Sequence, residues 1–218
     1  MNRLLVSALI LALAACSPAG DRSAENRATG NDETRTYPLK DFDRVSAQAG
    51  IELVLRQGPF AVEAASRNGD LGKLAIDVRG SELVISRESS LNIADSTRYT
   101  VTATAPSWIG IEALAGVKVE GEDLQLEILS VEATAGVSME LSGTCKEINI
   151  EATAGASVDA GDLKCAAAAA NASAGSKVDI WASERARATA SAGASIEVSG
   201  KPPAFEQQAD ISSTVRLD

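Results

Sequence analysis

Between residues 109 and 196, aliphatic residues alternate with polar ones, and the alternation keeps restarting. Each restart falls on an Ala-Gly pair, with glycines at 116, 136, 155, 175 and 193, so the intervals are 20, 19, 20 and 18 residues. Counting back from each glycine, the seventh residue is Ile109, Leu129, Ile148, Ala168 or Ala186, and the fifth is Ile111, Val131, Ile150, Ala170 or Ala188. The third is always alanine. Counting forward, the third residue is Val119, Met139, Val158, Val178 or Ile196. A period of two belongs to strands, because successive side chains point to opposite faces. The run "CAAAAANASA" at 165–174 favours helix on propensity alone, but its phase matches the other segments and it reads as strand.

A strand period inside a repeat of about twenty residues predicts an all-β fold in which each repeat is one coil of a parallel β-solenoid. Successive coils then lie about 4.8 Å apart, hydrogen-bonded edge to edge. A right-handed coil is favoured by the general hand of parallel crossovers. Each corner glycine is expected where positive φ or close backbone approach excludes a Cβ.

The repeat coils span about 106–200 within a single β domain at 37–218. Residues 37–105 carry a looser strand pattern, such as "GIELVLRQG" and "GSELVIS". It leaves two arrangements open, further coils or an antiparallel layer. After Gly200, "KPPAF" breaks the pattern, and residues 205–218 are expected to cap the end, with Phe205 as a lid over an otherwise open sheet edge.

The N-terminus changes the picture from a bare repeat to an exported protein. Arg3 precedes an apolar run, Leu4 to Leu13, too short to span a bilayer as a helix, which needs roughly 20 residues. It reads as a signal peptide at 1–15, with "LAAC" at 13–16 spanning its end. That ending is similar to a bacterial lipobox, which implies lipid attachment at Cys16, and Ser17 after it implies outer-membrane sorting. Residues 16–36 are then the lipidated cysteine and a tether, "SPAGDRSAENRATGNDETRT", without large aliphatic residues to bury.

The arrangement resembles the head GIN domain family of bacterial envelope proteins, described as "putative auto-transporter adhesins". The resemblance rests on "FDRVSAQAGIELVLRQG", "GSELVIS", the reiterated A-G-x-S-x-[DE] corners and the closing "ISSTVRL". It implies an adhesin-like role and brings no catalytic residues with it.

In stacked coils, chemistry must be sought in columns along the axis. Four residues after each glycine stand Glu120, Glu140, Asp159, Asp179 and Glu197, an outward file of carboxylates. Four before stand Glu112, Glu132, Glu151, Asn171 and Thr189. The first file is a candidate cation or ligand ladder, since oxygen ligands of this kind suit Ca²⁺. The alternative is a solvated acidic face on which neighbouring carboxylates repel, relieved locally by Lys118 and Lys177. Two before the glycines runs a hydroxyl file, Thr134, Thr153, Ser173 and Ser191, which needs no function beyond sheet packing.

Cys145 and Cys165 each lie ten residues before a corner glycine and should be stacked. A disulfide and a pair of buried thiols both remain open, in an oxidising compartment that permits the bond. Trp108 and Trp181 fall at outward positions by register and are expected to pack peripherally.

Net charge excludes one partner class. The chain carries −10, and loss of Arg3 with the signal makes it one unit more negative, so nucleic acid is repelled. There is no histidine, the commonest general base and metal ligand at neutral pH. No nucleotide loop, zinc spacing or nucleophile elbow occurs. The reading is therefore a non-enzymatic, lipid-anchored envelope protein, with no catalytic residue and no firmly expected metal. It faces the periplasm or the cell surface, and a glycan or envelope protein is its candidate partner. The alternative is a polysaccharide lyase or hydrolase of β-helix type using surface carboxylates, which would need a cleft built from long corner insertions. Arg185 and Arg187 beside Glu184, in a short link, are the densest charge cluster.

Overall fold

The computed structural model describes residues 32–67, 70–87 and 98–218. The signal peptide, Cys16 and most of the tether lie outside the described residues. The strands are, in chain order, β1 (Glu33–Tyr37), β2 (Arg44–Gln48), β3 (Glu52–Gln57), β4 (Ala61–Arg67) and β5 (Leu74–Arg79). There follow β6 (Glu82–Arg87), β7 (Arg98–Ala105), β8 (Gly110–Leu114), β9 (Lys118–Thr134) and β10 (Ser138–Thr153). The last five are β11 (Ser157–Ala172), β12 (Lys177–Ala190), β13 (Ser195–Ser199), β14 (Ala204–Ala209) and β15 (Thr214–Leu217).

The repeat is a parallel β-solenoid. Val119 pairs with Met139, Met139 with Val158, Val158 with Val178 and Val178 with Ile196, and all five are buried. The file extends past the repeat in both directions, to Leu53 and Val101 on one side and Val215 on the other. On the other side of the corners a second file runs Leu83, Val45, Ile111, Val131, Ile150, Ala170, Ala188.

At every corner the alanine and the glycine both have positive φ, for example 62° at Ala135 and 71° at Gly136. A Cβ built on Gly136 meets nothing within 4 Å. The glycine is therefore set by backbone conformation and not by crowding. Left-handed backbone costs a non-glycine residue about 1–2 kcal/mol. A ladder of hydrogen bonds between corners opposes that cost: Gly50, Gly116, Gly136, Gly155 and Gly175 each donate an N–H to the corner alanine of the next coil, at 3.0–3.2 Å. The unequal intervals are absorbed on the far side of each coil, where register shifts at Leu141/Gly143 and at Ala160/Lys164. Gly143 is required there by crowding, since a Cβ would lie 2.0 Å from the Leu124 carbonyl oxygen.

Residues 37–105 contain both of the arrangements left open by their sequence. β2 and β3 flank a sixth Ala-Gly corner, Ala49-Gly50, and stack on β8 and β9. β6 and β7 stack in parallel on β2 and β3. Beyond them lies an antiparallel layer, with β5 on β6, β4 on β7 and β1 on β4. The last residues read as tether, Glu33 to Thr36, belong to β1, because pairing with β4 supplies the order that their own side chains do not.

Three expectations need correction. Trp108 is not outward: it is 1% exposed, stacks near Phe42 with centroids 5.8 Å apart, and its indole N–H donates to the Arg56 carbonyl at 3.0 Å. Ile109, expected inside, is only half-buried. Both follow from one cause: β8 begins at Gly110, so the chain arriving from β7 past Pro106 is not yet in the strand phase. Arg185 and Arg187 lie within β12 and not in a link.

Candidate functional site

The five acids of the main column form one file, Glu120, Glu140, Asp159, Asp179, Glu197, paired strand to strand without a gap. Each stands outward because it adjoins a buried aliphatic on an alternating strand. Lys118 is hydrogen-bonded to Glu120, and Lys177 Nζ lies 2.7 Å from Asp179 Oδ2. Hydrogen bonding and charge from these acids raise both ammonium pKa values above the ordinary lysine value. At the C-terminal end the file runs into like charge. A hydrogen bond with Asp218, then the charges of Asp218 and Asp179, raise the Glu197 carboxyl above its usual range.

Beside the file lies a depression of about 300 Å³ lined by Glu120, Glu140, Asp159 and Asp162 together with Gly121 and Leu141. The carboxylates form a row along it. No group of three or more His, Cys, Asp or Glu placed to hold a metal ion occurs among the described residues. A row lets a cation meet neighbours in pairs, whereas Ca²⁺ takes 6–8 oxygen ligands.

The second column is also in register, from Glu112 through Glu132, Glu151 and Asn171 to Thr189. Within the hydroxyl file, Thr134 Oγ1 and Thr153 Oγ1 are 3.1 Å apart, a hydrogen bond between coils. Cys145 and Cys165 are direct partners with Cα atoms 4.4 Å apart, and the structure joins them as a disulfide. Trp181 is half-buried, with Lys164 Nζ 5.3 Å from its ring centroid, within cation–π range.

Arg185 and Arg187 form a second face. Arg185 reaches across the short Ala167 to Glu147, two strands away, at 2.8 Å. Arg187 pairs with Glu206 on β14 at 2.7 Å. Between these ion pairs lies a depression of about 280 Å³ lined by Ala167, Ala168, Ala169 and Ala186.

One constellation was not read from the sequence. In the last coil the corner is not Ala-Gly but Asp210-Ile211-Ser212-Ser213. Asp210 Oδ2 accepts the Ala192 N–H at 2.8 Å, and the hydroxyls of Ser212 and Ser213 both accept the Gly193 N–H at 3.1 Å. These side chains replace the backbone carbonyl that a further Ala-Gly corner would offer. The Ala192 N–H, followed by the serine hydroxyls, holds the Asp210 carboxyl well below the usual carboxylate range. The D-x-S-S string was the available signal, since aspartate and serine side chains bond nearby backbone in turns.

Fold and faces together define a β-solenoid that displays files of polar side chains on flat strands. The chain belongs to the family described as "Putative auto-transporter adhesin, head GIN domain", whose model matches residues 41–202. A solved "putative adhesin" from Bacteroides fragilis NCTC 9343 is similar at 17% identity and TM-score 0.71, covering 88% of this chain and 99% of that one. A "putative lipid binding protein" from Parabacteroides distasonis ATCC 8503 is similar at 15% identity and TM-score 0.51, over 87% of this chain and 98% of that one. At such identities the likeness is one of fold. No curated protein matches the chain.

Proposed function

We propose that this is a lipid-anchored protein of the bacterial cell envelope that binds a surface partner, a glycan or another envelope protein, and catalyses no reaction. The anchor is Cys16 and the membrane is the outer one. The observation that carries the reading is the flatness of the coils: from Gly116 to Gly193 every corner is a link of three or four residues between strands, so no insertion at these corners stands above the strands to wall a cleft. A polysaccharide lyase or hydrolase needs such walls to hold a sugar chain between its acids. Membership of a family described as adhesins supports the same reading.

Two experiments test it. Metabolic labelling with an alkyne fatty acid should tag the wild-type chain and leave Cys16→Ala untagged; equal labelling of both removes the anchor. Cells expressing the protein should adhere to a glycan-coated or cell-wall-coated surface more than cells lacking it. Turnover of a polysaccharide by the purified protein, without retention on that polysaccharide, would reverse the reading in favour of an enzyme.

A further inference from the structure

The two ends of the solenoid differ in how their strand edges are treated. At the N-terminal end β5 is an outer strand, and there the Val78 N–H is taken by Asp77 Oδ1 at 2.8 Å. Charged side chains that occupy edge donors in this way keep a sheet from recruiting another strand. At the C-terminal end, β14 pairs only with β12 and β15 only with β13. The Asp210 N–H donates to Ala190 on β12. Alternation along the strand therefore turns the backbone groups of Glu206 and Gln208 toward β12, and those of Phe205, Gln207 and Ala209 toward the open edge. Two of the four exposed large apolar side chains among the described residues, Ile211 and Leu217, sit at this same end.

We propose that this open edge is a homodimer interface, in which β14 pairs antiparallel with β14 of a second copy across a two-fold axis at Gln207. The strand is complementary to itself in that register. Gln207 meets Gln207 of the partner subunit, side-chain amide to side-chain amide. Phe205 meets the partner's Ala209, a large ring over a small methyl, and Ala209 meets the partner's Phe205. Glu206 meets the partner's Gln208, so no like charges face each other. Sliding the register by one pair sets Glu206 against its own copy, which is destabilising. Three residues with free N–H and C=O groups on each strand give about six backbone hydrogen bonds. A two-fold pairing occupies the β14 edge of both copies, so that strand recruits no third copy.

The full mature protein in detergent, with micelles in excess, supports a direct test. Gln207→Cys should form a covalent dimer on mild oxidation, because residue 207 faces itself on the axis, whereas Glu206→Cys should not. Light scattering should show twice the protomer mass for the wild type and the single protomer mass for Gln207→Pro. Proline removes an N–H that faces away from β12, so that variant keeps its coil and its circular dichroism. A protomer mass for the wild type at all concentrations overturns the proposal. So do equal cross-linking at 206 and 207, a mass that grows beyond two copies, and a Gln207→Pro variant that folds and still dimerises.

Discussion

Along the wall that precedes the corners, the coils closing at Gly116, Gly136 and Gly155 present Ile111, Leu129, Val131, Ile148 and Ile150 to the core, while the next two present Ala168, Ala170, Ala186 and Ala188. On the wall that follows the corners the two alanine coils carry large residues. Five residues after each glycine the buried file reads Gly121, Leu141, Ala160, Ile180, Val198. The coils with small residues before the corner thus carry large ones after it. Interiors are packed at nearly constant density, so volume removed from one wall must return on another. The Cys145–Cys165 link joins the last coil with an aliphatic wall to the first with an alanine wall.

This contrast can be broken from the aliphatic side. Ile150→Ala puts an alanine where the following wall is also small, at Ala160, and should lower unfolding free energy in urea by about 2–5 kcal/mol. A loss below 1 kcal/mol would mean that the wall can collapse inward, and that volume is not shared in the way described. The border should matter nearly as much. Replacing both cysteines by alanine removes a link that closes a loop of 20 residues and should cost about 2–4 kcal/mol. Mass spectrometry of the unreduced protein should find the two thiols oxidised.

The alanine side sharpens the comparison. Ala170→Ile should destabilise by overpacking, about 1–3 kcal/mol. Adding Ile180→Ala should recover part of that loss, giving a double-mutant coupling of about 0.5–3 kcal/mol. Strict additivity would separate the two walls. The smallest effect concerns the last corner. The Asp210 pKa is lower in the folded chain, so its contribution is present above the ordinary aspartate value of 3.8 and is lost as pH falls toward the depressed value. Asp210→Asn should therefore be less stable than wild type at neutral pH, with the gap narrowing below that value in acid unfolding followed by circular dichroism.

Where the chain repeats itself, the fold was legible. Alternation plus Ala-Gly spacing located five corners, and the columns followed by counting, because parallel in-register strands convert sequence offset directly into stacking. Legibility failed where a coil's members are separated or disguised. Gly50 is 66 residues from Gly116, since the β4–β7 excursion intervenes, and "QAGIEL" does not announce its partner. The final coil, β14 and β15, hides behind an Asp-Ile-Ser-Ser corner and a polar Gln207 at a core position. Trp108 escapes the count because the strand phase set by Gly116 does not extend before the start of β8 at Gly110. Of the site, the files were readable but their convergence was not: a row and a cage of carboxylates have the same one-dimensional pattern.

Methyl-to-methyl nuclear Overhauser contacts between coils test the stacking itself most directly. Cross-peaks should link Val119 to Met139, Met139 to Val158, Val158 to Val178 and Val178 to Ile196, each to its immediate neighbour, with none between Val119 and Ile196. Absence of these neighbour contacts, with the same methyls instead touching residues assigned to outward faces, would contradict the solenoid.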